Sequence, residues 1–188
     1  MIRTVKILGV GVLCAWLAAC TTPAPPYAAS VSNVEVTAKL GSAISVGKFE
    51  FDKGKESELN EVGARASNFP SPVNGSYADY FADAAMKELR AAGKFDAASP
   101  KALTGTLIKN HLSAAGLNTN DAALQVRFKL AEGTKVTYDK LVSAEHQWES
   151  AFLGAIAIPR ALDQYIATIQ KLMRSLFSDP DFVRATGK

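Results

Sequence analysis

Three long stretches beyond residue 100 alternate apolar with polar residues, two others repeat at helical spacing, and a strand-like run precedes them all; together they predict an α+β sandwich. The expected order is β-α-β-β-β-α, a mixed or antiparallel sheet with two helices packed on one face. The 188 residues are 48% apolar and 21% charged, enough for one core of ordinary size, and residues 34–188 are expected to form a single domain.

Each element has its own signal. Val34, Val36, Ala38 and Leu40 alternate, and after Gly41 the run Ile44, Val46, Phe49 and Phe51 is again strand-like, with a phase slip at Gly47-Lys48 that predicts a bulge. Residues 53–75 are polar and carry Pro70, Pro72 and Asn74-Gly75; they read first as a mobile loop, second as a functional one. Ser76 can cap a helix with Asp79 as its reciprocal carboxylate, and Tyr77, Tyr80, Phe81, Ala84, Ala85, Leu89 and Ala92 supply one apolar face before Gly93 ends it.

Strands are expected over about residues 102–112, 123–131 and 135–149. In the second, Leu124, Val126, Phe128 and Leu130 alternate with Gln125, Arg127 and Lys129, so the sheet has one wet face, and Glu132-Gly133 turns the chain into the third. Pro159 is expected to open the last helix, whose stripe runs from Leu162 through Tyr165, Ile169 and Met173 to Phe177, before Asp179-Pro180 stops it.

The N-terminus carries an address. Arg3 and Lys6 precede an uncharged, largely apolar run of thirteen residues, too short to span a bilayer, so residues 1–19 read as a secretory signal peptide. Leu17-Ala18-Ala19-Cys20 looks like the lipobox of bacterial lipoproteins. That resemblance implies cleavage before Cys20 and attachment of a diacylglyceryl thioether and an N-acyl chain to it, the chain's only expected attached group. Thr21, in place of the Asp that signals inner-membrane retention in such proteins, implies the periplasmic side of the outer membrane. Residues 20–33, with Pro23, Pro25 and Pro26, read as a lipidated cysteine and an extended tether.

Removal of Arg3 and Lys6 leaves 19 basic against 18 acidic residues, a balance unsuited to nucleic acid. Cys14 leaves with the signal and Cys20 is consumed by lipid, which excludes disulfides and thiolate chemistry from the mature domain.

Several phrases carry a further resemblance: Ser76-Tyr77-Ala78-Asp79-Tyr80-Phe81, then Leu89, Lys94-Phe95 and Leu103-Thr104-Gly105, and later Trp148-Glu149-Ser150 with the run to Pro159. Over roughly residues 40 to 183 the chain resembles the YajG-type bacterial outer-membrane lipoproteins and, more remotely, the TolB N-terminal domain and the PelC, LpoB and CsgG-core group. The resemblance implies a protein that works by contact, with an envelope protein or as a homo-oligomer, and it brings no catalytic motif.

Candidate sites are few. His111 and His146 would need a shared carboxylate such as Glu145 or Glu149 to hold a metal, and no metal or cofactor is expected. Asp79 and Asp83 share a helix face, where the dipole accounts for them without acid-base work. No catalytic residues are assigned, and the chain is expected not to be an enzyme.

Residues 151–159, AFLGAIAIP, are uncharged. They read first as a buried connection and second as an apolar lip for a partner, with Phe152, Leu153, Ile156 and Ile158 as the contact residues. The strand from Leu103 to Leu112 could pair with another chain if it lies at an edge. A ligand-binding alternative places a lipid or glycan between sheet and helices, lined by Tyr77, Tyr80, Phe81, Tyr138 and Trp148, which otherwise fill the core.

Overall fold

The computed structural model describes residues 22–116 and 118–187. The signal peptide expected over residues 1–19 and the lipid-attachment residue Cys20 lie outside the described residues. In chain order the elements are α1 (Val31–Thr37), β1 (Ser45–Phe51), α2 (Glu56–Leu59), β2 (Gly63–Ala64), β3 (Ser67–Asn68), α3 (Tyr77–Ala91), β4 (Lys101–Ser113), β5 (Thr119–Glu132), β6 (Lys135–Glu149), α4 (Gly154–Ser178) and α5 (Pro180–Ala185). The expected α+β sandwich is present as β1-α3-β4-β5-β6-α4.

The sheet order is β1-β4-β5-β6, with β1 parallel to β4 and the other pairs antiparallel. A parallel pair needs a crossover, and α3 supplies it. Its start is capped by Ser76, whose Oγ accepts from the Asp79 amide at 3.2 Å; the reciprocal bond expected from the Asp79 carboxylate is not made, because the Ser76 amide donates to the Val73 carbonyl and Asp79 accepts from Asn74. Gly93, at φ +66°, takes the left-handed turn that lets the chain leave the helix.

The bulge is where the phase slip put it, between Val46 and Phe49. It brings Phe49 opposite Gly105, and a Cβ on Gly105 would lie 2.6 Å from the Phe49 ring. That ring meets Phe128 of β5 edge-on, centroids 5.9 Å apart. The core lies between this sheet face and the helices, with Leu103, Val126 and Leu130 below and Phe81, Leu89, Ile169 and Phe177 above. The other face is wet: exposed Arg127 and Lys129 reach Asp139 on β6 at 2.6 and 3.7 Å.

Local expectations fail in four further places, and the condition set on the strand from Leu103 to Leu112, that it lie at an edge, is not met, because β1 and β6 end the sheet order. Residues 34–40 are not a strand; most of them belong to α1, whose buried positions Asn33 and Thr37, with Leu40 beyond, follow a helical spacing. Residues 53–75 are packed, α2 and the β2–β3 hairpin burying Leu59, Val62, Ala64 and Phe69. Pro159 does not open α4 but stands inside it, five residues after its start. β4 lies between β1 and β5 in the sheet order, paired by β5 as far as Ser113 and by β1 from Ala102 to Leu107. The tether expected to end at residue 33 is largely packed on the domain, for Ala24 and Tyr27 are buried.

Candidate functional site

Two features stand out once the fold is in place: a strap formed by residues 24–40 and a lip at the start of α4. The strap runs over α3 and α4. Its first anchor is the Ala24 amide, which donates to the Pro70 carbonyl at 3.0 Å, and the Tyr80 hydroxyl donates to the Pro25 carbonyl at 2.8 Å. Further on, Gln170 of α4 reaches the Ala28 carbonyl and Arg174 the Ser32 carbonyl, at 3.0 and 2.8 Å.

At the centre of the strap is Glu88, a fully buried carboxylate on α3. Its Oε1 accepts from the Tyr27 hydroxyl, from the Ser30 amide at 3.2 Å and from Asn33 Nδ2 at 2.9 Å. Asn33 also donates to the Gln170 carbonyl at 2.8 Å, so one amide joins the strap to both helices. Burial, and then the bond to Glu88, raise the Tyr27 phenol far above its ordinary range. The sequence offered one signal for this latch, a lone aromatic in a proline-rich run.

Residues 151–159 divide between the two readings, exposed at three of the expected contact positions and packed at the fourth, Ile158. Phe152 is 91% exposed, Leu153 60% and Ile156 55%, whereas Ala157 is buried and Ile158 is partly buried against the core. The exposed side chains ride on a fixed backbone. Arg65, in the turn between β2 and β3, donates to the Ala151 carbonyl at 2.5 Å, the Phe152 carbonyl at 2.9 Å and the Ala114 carbonyl at 3.2 Å. Its φ of +59° lies in the left-handed region, a strain that persists where surrounding contacts hold it. No feature of the sequence marks Arg65, because its partners are backbone carbonyls far along the chain.

The other candidates are kept apart or occupied. His111 pairs in register with Ala123, and His146 with its neighbour Ala122, so the two histidines fall on opposite faces of the sheet. His111 lies 3.6 Å from Asp121, while His146 stacks beside Trp148 and bonds Gln164 at 2.7 Å. Asp83 pairs with Lys87 at 2.7 Å, and Asp79 accepts from Asn74 at 3.0 Å. Among the described residues no group of three or more His, Cys, Asp or Glu stands together as a metal site, and no helix is long and apolar enough to cross a membrane. Tyr77, Tyr80, Phe81, Tyr138 and Trp148 are all buried. Tyr77 packs edge-on against Tyr80 and Tyr165 at 5.8 and 6.0 Å, so these rings occupy the space between the layers.

No family model matches the chain, and no curated protein matches it. Among solved structures, a Xanthomonas campestris protein of the DUF330 family is similar at 13% identity and TM-score 0.55, covering 84% of this chain and 88% of that one. A candidate lipoprotein from Caulobacter crescentus is similar at 11% identity and TM-score 0.46, covering 84% and 98%. A minor lipoprotein from Acinetobacter baumannii is similar at 14% identity and TM-score 0.38, covering 77% and 95%. The first of these shows a shared fold.

Proposed function

We propose that this chain is a lipid-anchored outer-membrane lipoprotein, facing the periplasm, that acts by contact as a non-enzymatic scaffold or modulator of an envelope assembly or transport complex. The anchor reading rests on Leu17-Ala18-Ala19-Cys20 with Thr21 after it, and the YajG-type phrases support the same setting. The observation that supports a role by contact at the envelope is the lip: Phe152, Leu153 and Ile156 form an exposed apolar tip, membrane-facing or partner-facing, whose backbone Arg65 bonds at the Ala151 and Phe152 carbonyls, and that exposure has no benefit to the fold.

Two experiments test this. Metabolic labelling with a fatty acid marks the mature protein, and Cys20→Ala abolishes the label. A strain deleted for the protein is rescued by the parent but not by a variant carrying Phe152→Ser, Leu153→Ser and Ile156→Ser, which folds and exports normally. Full rescue by that variant removes the contact role of the lip, and an unlabelled parent removes the anchor.

A further inference from the structure

We propose that Phe152, Leu153 and Ile156 seat in the headgroup layer of the same bilayer that holds the Cys20 acyl chains, so that the domain stands on the membrane in one orientation. This rests on the lipid-anchor reading and names what the lip touches, a phospholipid surface.

Chain geometry places the start of the strap and the lip at one end. The strap starts at Ala24 on the carbonyl of Pro70, and Pro70 closely follows the β2–β3 hairpin whose turn residue Arg65 holds the lip. The level of that start is marked by Tyr80, which bonds Pro25 and packs on Tyr77, and Tyr77 in turn packs on Tyr165 of α4. Ile156 lies nine residues ahead of Tyr165 on α4. At the helical rise that is about 14 Å toward the lip. Cys20 stands four positions before Ala24. A segment of that length spans at most about 14 Å, a limit compatible with an anchor at the plane of the lip.

The chemistry of the tip suits a lipid interface. Apolar side chains project from it, and exposed Arg160, four residues after Ile156 on α4, supplies a cation suited to headgroup phosphates, while Arg65 is engaged with the backbone carbonyls behind the lip. The nearest acidic residues in sequence, Glu149 and Asp163, stand three residues before Phe152 and seven after Ile156. A protein partner fits less well. Three such side chains, two of them little more than half exposed, offer well under the about 800 Å² per partner of a stable complex. Beside an anchor already in the membrane, the lip has only to orient.

The test uses the mature lipidated protein in vesicles of phosphatidylethanolamine and phosphatidylglycerol. Because Cys20 is blocked by lipid, Phe152→Cys and, separately, Val136→Cys accept an environment-sensitive fluorophore at one position. Val136 is exposed near the far end of β6. The Phe152 label is expected to shift to the blue and to be quenched by brominated acyl chains at least about twofold more than the Val136 label. Equal, weak quenching at both positions overturns the proposal, as does a Phe152 label that is shielded before lipid is added, which assigns the lip to a second copy. The mass of the mature protein is read on the same sample: acylation with an unquenched label removes the seating and keeps the anchor. A quenched label on protein that lacks acyl chains keeps the seating and removes the anchor reading.

Discussion

Glu88 illustrates what a single buried carboxylate can organise. It has no cationic partner among the described residues, yet three donors from residues 27–33 converge on one of its oxygens. Replacing it by alanine leaves the Tyr27 hydroxyl, the Ser30 amide and Asn33 Nδ2 short of an acceptor. Glu88→Ala is therefore expected to cost about 2–3 kcal/mol in denaturant melts and to expose residues 22–40 to protease before the domain unfolds. Gly105 is constrained by space instead. A methyl group there meets the Phe49 ring at 2.6 Å, in a layer where Phe128 blocks retreat. Gly105→Ala should destabilise by about 1–3 kcal/mol, read from the same melts, whereas Phe49→Leu combined with it should recover part of the loss.

The hairpin and the first turns of α4 behave as one unit. Arg65 is strained so that its guanidinium can reach three carbonyls, and those bonds hold the lip. Arg65→Gly relieves the strain and removes the pins. Global stability is expected to change by less than about 1 kcal/mol, while amide exchange over residues 151–157 accelerates by more than tenfold. Unchanged exchange there would show that the lip is held by α4 alone. Pro159 explains why this start was misplaced: it cannot donate to the carbonyl four residues earlier, so the sequence suggests a helix beginning at the proline. The turns before it form nevertheless, with amides of Ile156 and Ala157 bonded to Leu153 and Ala157 buried. The same limit applies to α1, where alternating valines imitated a strand while the buried positions Asn33 and Thr37 followed the helix.

For the molecule as a whole, the five tyrosines give one collective prediction. Burial is the first cause that raises Tyr27, Tyr77, Tyr80, Tyr138 and Tyr165 above the ordinary phenol range, and Tyr138 is raised further by Asp179 at the end of α4. A folded-state value above the unfolded one means that the neutral phenol is favoured by the fold. Its contribution is complete below about pH 10 and is lost as pH rises beyond that. Ultraviolet titration should show almost no tyrosinate until the protein unfolds in alkali, after which all five appear in one cooperative step. Gradual ionisation of several tyrosines with circular dichroism intact would contradict this packing. Asp179 also closes the corner between α4 and α5, accepting from Lys140 of β6 at 3.0 Å and from the Asp181 amide at 2.8 Å. The sheet and the final helices are thereby tied at the end opposite the lip.

The sequence alone determined the α+β order, the bulge beside Gly47, the cap at Ser76, the wet face of the sheet and the buried stripe of α4, because each follows from residues close together in the chain. Tertiary structure decided that β1 joins parallel to β4, that residues 24–40 lie on the helices and that Phe152, Leu153 and Ile156 face outward. These outcomes depend on contacts between residues far apart in sequence, Tyr27 with Glu88 and Arg65 with Phe152 among them. A local pattern records which side chains avoid water; which backbone carbonyl an arginine reaches, or which carboxylate a strap meets, is settled only when the layers pack.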